Sequence, residues 1–319
     1  MAKEGPIETV VFTRGGNRLR MPWRILVGLI VLLAVSLAFL IPIGLLFPQW
    51  IADPDPTYRM LTVSSILSIP PLVISLWAVA RFIDRRPFRH FGLDLDWAWA
   101  TDFGAGLFIG ALLPTGMLVV GLLLGWVTVV EVASVDGRLL ETLAILIVLF
   151  VAIGVVEELL IRGWLLPNVA EGFAWLGREA GVIVAIVITS ILFGILHLAN
   201  PGATIAAALI ISLAGVFLAL GYVYTGELAL PIGIHITWNL FLGGIYGFPV
   251  SGLEFPVTPI SVRLIGPGFI TGGEFGPEAG LLGLVAILLG IWMIYWWVRW
   301  YHGAAVIVRR LGRPPSRGR

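Results

Sequence analysis

The chain of 319 residues has no cysteine, only four histidines, and a charged content of 12%. Without a thiol there can be no disulfide, thiolate nucleophile, Cys-ligated zinc or iron–sulfur cluster. So little charge, set against 59% hydrophobic residues and a mean hydropathy of +1.00, excludes a soluble globular protein and describes an integral membrane one. No internal repeat, low-complexity tract or soluble domain interrupts the pattern, so residues 1–319 read as a single integral membrane domain. With a net charge of +1, a nucleic-acid partner is not expected. The expected partners are the lipid bilayer and a substrate.

Eight apolar runs are long enough to cross a bilayer at about 1.5 Å per residue: 25–47, 60–83, 103–129, 139–163, 181–198, 204–224, 228–248 and 280–301. The expected fold is an all-α polytopic bundle of about eight transmembrane helices. The first run is too long for a signal-peptide core and has no small-residue cleavage site behind it, so it reads as a retained span. Fifteen of the twenty Lys and Arg residues fall before the first span or at and beyond the ends of the second and the last. By the excess of positive charge in cytoplasmic segments, both termini are expected in the cytoplasm of a plasma-membrane protein. The outer connections are acidic or turn-forming: Asp53-Pro54-Asp55-Pro56, the stretch from Glu131 to Asp136, and a long Gly/Pro-rich segment from about 249 to 277 that reads as an irregular loop able to cap the outer face.

Other features have structural readings. Gly106-x-x-x-Gly110 and Gly121-x-x-x-Gly125 on the third span let a neighbouring helix approach closely, and packing within the chain is favoured over a homodimer. Trp292, Trp296, Trp297 and Trp300 read as an interfacial belt. Residues 164–180 are amphipathic and are expected to continue the fourth helix or to lie along the interface.

Late in the fourth run stands Val155-Val156-Glu157-Glu158-Leu159-Leu160-Ile161-Arg162. A charge at the centre of a membrane helix costs about 2.5–3.5 kcal/mol, so three of them need partners or a task. Glu158 and Arg162, four apart with the acid on the N-terminal side, are placed for an ion pair. Glu157 is turned about 100° away and is left over.

Two of the four histidines lie inside spans. His197 ends Phe193-Gly194-Ile195-Leu196-His197, and His235 shares a helical face with Asn239 four residues on. His90 and His302 read as surface residues. Helices that bury Glu157, His197, His235 and Asn239 would bury them together, because unpaired polar groups in hydrocarbon are costly. The set is suited to hydrolysis. A carboxylate can take a proton from water and deliver it to a leaving amine, while an amide and an imidazole can donate to a developing oxyanion. The same Glu157, His197 and His235 would also make a three-ligand zinc site with water in the fourth position. In that case backbone carbonyls or a hydroxyl such as Thr237 would have to fix the imidazole tautomers. A glutamate acting on unliganded water asks less of its surroundings and is favoured, with no cofactor. No serine accompanies a histidine and an acid at a suggestive spacing, so a covalent mechanism ranks below both.

These residues resemble the motifs of the CAAX protease and bacteriocin-processing family, also called ABI, which includes the type II CAAX prenyl endopeptidase. Glu157, Glu158 and Arg162 match Glu-Glu-x-x-x-Arg; Phe193 and His197 match Phe-x-x-x-His; His235 and Asn239 match the final His with Asn or Asp four residues on. The run Tyr224 to Pro231 is similar to the family's approach to that last motif, with Glu227 where a serine is common. The likeness covers about 145–245. It implies an intramembrane endopeptidase in which Glu157 and His197 activate water and His235 and Asn239 form the oxyanion site, with Glu158, Arg162 and Phe193 in support. A non-catalytic scaffold or bacteriocin-immunity protein is the alternative, and a proton-coupled transporter is third. Straight, upright helices would leave His235 near the cytoplasmic side and His197 near the opposite end of its span. Tilt, a longer fourth helix, or a fifth helix beginning inside the membrane is needed to bring them level.

Overall fold

The computed structural model describes residues 11–13, 18–47, 58–308 and 310–311. The Asp53–Pro56 loop and the basic residues Lys3, Arg14, Arg309, Arg313, Arg317 and Arg319 lie outside the described residues. The long helices are α1 (Met21–Leu46), α2 (Tyr58–Ala78), α3 (Trp97–Leu123), α4 (Gly137–Glu158), α5 (Leu166–Gly172), α6 (Arg178–Leu196), α7 (Ile205–Thr225), α8 (Ala229–Asn239) and α9 (Leu281–Tyr301). Among the described residues seven helical stretches are long and apolar enough to cross a bilayer; the eighth expected span is the shorter apolar stretch Ala229–Ile245. Large apolar side chains such as Leu33, Leu45 and Phe108 face outward, as they do where the solvent is lipid.

Side-chain caps set several helix starts. Asp96 accepts from the Trp99 N–H, Asp136 from the Leu139 N–H and Thr204 from the Ala207 N–H, which begins α3, α4 and α7. Proline inside α1, α2 and α3 (Pro42, Pro70, Pro71, Pro114) is tolerated, as is usual in membrane helices, where neighbouring groups satisfy the freed carbonyls.

The third span ends earlier than its apolar run. Helix α3 stops at Leu123, and Gly125 takes a left-handed turn with φ 69°. Beyond it Val127–Val132 is strand β1, antiparallel to β2 (Ile260–Leu264), with Val127 opposite Leu264 and an irregularity at Val129/Glu131. The β-branched run Val127-Thr128-Val129-Val130 favours a pleated strand once a partner is present, and hydropathy alone cannot tell that from the end of a span. The segment 249–277 is correspondingly not all irregular: it contributes β2 and several single helical turns, and it buries Val250, Phe255 and Phe275.

Helix α8 is the centre of the bundle, with all eleven of its residues buried. Gly106 and Gly110 of α3 make this close packing within the chain. A Cβ at Gly106 would meet the Leu230 carbonyl, and one at Gly110 the Ile234 carbonyl and the Thr237 hydroxyl. The second pair is not a packing motif, since Gly121 accommodates the Val127 side chain and Gly125 forms the turn. Trp292, Trp296 and Trp300 are exposed as a belt requires. Trp297 instead donates its indole N–H to Asp102 at 2.9 Å, and His302 lies 3.0 Å from the same carboxylate. His302 is therefore not merely a surface residue.

Candidate active site

After Glu158 the fourth helix widens into a π-helical segment, Leu159–Leu165, and then continues as α5 to Gly172. Helix α8 does the same immediately after Asn239, with a π-helical segment at Leu240–Ile245. Such widened turns concentrate at functional positions. The continuation of the fourth helix also resolves the depth mismatch between the histidines. Glu157 stands fifteen residues before Gly172, and Phe193 fifteen residues after Arg178, so each is roughly 20 Å from the 172–178 connection. His235 is only six residues into α8. That connection therefore lies farther toward the terminal side than the start of α8, and the three motifs come level.

Glu158 and Arg162 form the expected buried pair, Oε1 to Nη1 at 2.6 Å, with both side chains no more than 1% exposed. The guanidinium also donates to the Gly215 carbonyl and lies over the Phe193 ring, 4.4 Å from its centroid. Glu158 has a second task. The same Oε1 lies 2.9 Å from Nδ1 of His235, so the carboxylate accepts that N–H and fixes the imidazole. Glu158 is thus not committed to Arg162 alone. Nor is Thr237 an acceptor for either histidine, because its hydroxyl donates to the Leu107 and Gly233 carbonyls. His197 is held by a backbone carbonyl: Nδ1 lies 2.8 Å from the Phe193 oxygen. A carbonyl can only accept, so Nδ1 carries the proton and Nε2 of the neutral ring keeps its lone pair.

Phe193 joins these parts. Its ring is 4.6 Å from the His197 ring and 6.3 Å from that of His235, centroid to centroid. Glu157 approaches the other nitrogen of the same His235 ring. Its Oε2 is 3.9 Å from Nε2 of His235 and is buried with no hydrogen-bond partner among the described residues.

Glu157, His197, His235, Asn239 and Phe193 all line one cavity of about 240 Å³. It lies between two apolar cores, with Phe193 and Ile211 from one and Leu149, Phe150, Phe217 and Trp238 from the other. Asn200, Ser65, Ser251 and Glu278 also reach it, and the sequence reading did not single these out. Glu278 is one of three similar glutamates in the outer connection, with Glu254 and Glu274, and nothing local distinguishes it.

Among the described residues, no three His, Asp or Glu side chains are grouped closely enough to hold a metal ion. Glu157, His197 and His235 do not form such a group.

The fold and this cavity define a class: a polytopic helical membrane protein that gathers a carboxylate, two oriented imidazoles and an amide around one chamber. Residues 139–241 match the family model described as type II CAAX prenyl endopeptidase, Rce1-like. This segment runs from α4 to just past Asn239, and its match supports the resemblance to the CAAX protease and bacteriocin-processing family. Neither the curated proteins nor the solved structures yield a match.

Proposed function

We propose that the protein is an intramembrane endopeptidase that hydrolyses a peptide bond of a protein or peptide substrate with a glutamate-activated water. The observation that carries this reading is the convergence of Glu157, His197, His235 and Asn239 on one cavity, where Glu157 has a buried oxygen without a hydrogen-bond partner among the described residues and His235 is held by Glu158. Water sits between Glu157 and Nε2 of His197. Glu157 takes its proton as the oxygen attacks the carbonyl carbon, and the Asn239 amide donates to the resulting oxyanion. Collapse breaks the C–N bond, and Glu157 returns the proton to the leaving amine. Because Nδ1–H of His235 is engaged by Glu158, this imidazole can join the oxyanion site only with a proton on Nε2 as well. Asn239 needs no such change. The matched family favours proteolysis over the scaffold and transporter readings. We also place both termini in the cytoplasm and the protein in the plasma membrane, on the distribution of basic residues.

The decisive experiment compares membrane proteomes of cells carrying wild type and Glu157→Gln, scored for new termini. Loss of the general base is expected to lower turnover by about 10²–10⁴-fold, while the variant elutes from size exclusion as the wild type does. An active Glu157→Gln would refute the mechanism. Washing purified protein with chelator is expected to leave cleavage unchanged. Activity that vanishes and returns at one zinc per chain would replace this mechanism with a metal-assisted one.

A further inference from the structure

The cavity wall contributed by the outer connection carries a charge that the chemistry above does not use. Glu278 is 4% exposed. Its Oε1 accepts from the Ser251 backbone N–H at 2.5 Å and the Ser251 hydroxyl at 2.7 Å, and its Oε2 accepts from the Trp238 indole at 3.1 Å. All three donors are neutral. Among the described residues no Lys or Arg pairs with Glu278, and none lines the cavity. Glu158 is neutralised by Arg162, so the chamber wall presents the carboxylates of Glu157 and Glu278 with no fixed cation to balance them. A buried carboxylate held by hydrogen bonds yet lacking a counter-ion is primed for one that arrives with a ligand.

The geometry points to Glu278 as a specificity residue that receives an ammonium or guanidinium of the substrate. This rests on the proteolytic reading of the site. Trp238 follows His235 by three residues and precedes Asn239 by one, so Glu278 is anchored beside the oxyanion end of the reacting centre, about one helical turn, roughly 5 Å, from His235 along α8. An extended peptide advances about 3.3 Å per residue, which puts the cationic side chain about one to two residues from the scissile bond. The same balance of charge works against a free C-terminal carboxylate in the chamber, since it would meet two like charges and no cation. The favoured substrate is a chain cut internally near a Lys or Arg.

Purified full-length protein in detergent, incubated with a random decapeptide library, gives products whose termini are read by mass spectrometry. Cleavage is expected to be enriched for Lys or Arg about one to two residues from the cut. Replacing that residue by Glu in a matched peptide should lower kcat/KM by about tenfold or more, the scale of one charge-assisted hydrogen bond. Glu278→Gln should bring the Lys-to-Glu preference close to one, and Glu278→Asp should restore it; a purely structural role would change the rate but not this ratio. Cleavage by wild type without charge preference, or a preference that survives in Glu278→Gln, overturns the inference and leaves the protease reading standing.

Binding of dye-labelled Lys and Glu peptides to the Glu157→Gln variant, read by fluorescence anisotropy, separates the two claims when nothing is cut. Selective capture of the Lys peptide would then sustain the role of Glu278 while the protease reading fails. Equal binding of the two peptides would remove both.

Discussion

Two glutamates thirteen residues apart on the fourth helix and its continuation hold guanidiniums for different ends. Glu158 pairs with one arginine from its own helix and, through the same oxygen, accepts from His235 of α8. Glu171 gathers Arg24 of α1 at 2.6 Å, Arg86 after α2 at 2.5 Å and Arg18 at 3.1 Å. Burial, the largest influence, brings the Arg18 guanidinium down to about 10, with Glu171 acting in the opposite sense; it remains a cation at neutral pH. Around Glu171 the charges come from three parts of the chain and hold the periphery to the bundle. Only Arg24 and Gly28 of helix α1 are fully buried, with Ile25, Val31 and Leu32 packed partly against the core. Around Glu158 the charge is balanced within one turn, and the product is an oriented imidazole. One knot assembles the protein and the other serves the site.

The largest expected effect comes from breaking the inner knot. Arg162→Ala leaves Glu158 buried and unpaired, at a cost of about 3–5 kcal/mol, and should sharply reduce the yield of monodisperse protein. Combining Glu158→Gln with Arg162→Met removes both charges and should recover the yield. The structure adds a second outcome. His235 would then rest against a neutral acceptor, and the recovered protein should still turn over about 10- to 100-fold more slowly, as when a partner of a functional imidazole is lost. A double variant as unstable as Arg162→Ala would mean that the guanidinium is anchored chiefly by the Gly215 carbonyl and the Phe193 ring.

Breaking the outer knot should do the reverse. Glu171→Ala leaves Arg18, Arg24 and Arg86 facing one another with only Asp84 nearby, 3.8 Å from Arg86, and should cost about 2–3 kcal/mol. Thermal unfolding in detergent would register this, whereas kcat of the folded fraction should stay within about twofold, because none of these groups lines the cavity. A matching fall in kcat would show that the two knots communicate along the fourth helix.

The contrast also explains what could be read from the residues and what could not. The Glu158–Arg162 pair, the isolation of Glu157 and the shared face of His235 and Asn239 are local consequences of helical spacing, and the structure shows all three. The second role of Glu158 is a contact across 77 positions, and the gathering at Glu171 spans 85 and 147; no local period encodes such distances. The strand β1 was hidden because its partner lies more than a hundred residues away and its valines suit a membrane span equally well. Glu278 was missed for a related reason. Its meaning depends on Trp238 and Ser251, which approach it only when the outer connection folds over the cavity.

A third buried carboxylate sharpens the comparison with the smallest effect. Asp102 of α3 is 1% exposed and, among the described residues, pairs with no guanidinium; its neighbours are the Trp297 indole and the His302 imidazole. Nε2 of His302 lies within 3.1 Å of both carboxylate oxygens, so the loss of Trp297 alone leaves the group partnered. Trp297→Phe keeps most of the ring packing against Tyr301 and removes one hydrogen bond to a carboxylate. The expected cost is about 1.5 kcal/mol, the lower end for a bond to a charged group, seen as a modest fall in Tm. Combining it with His302→Ala strips both partners and should cost more than the two single changes together, since only the double variant leaves the carboxylate buried and bare. Simple additivity would show that water reaches Asp102 once either side chain is gone, and would set this carboxylate apart from Glu158, whose partners cannot be replaced by solvent.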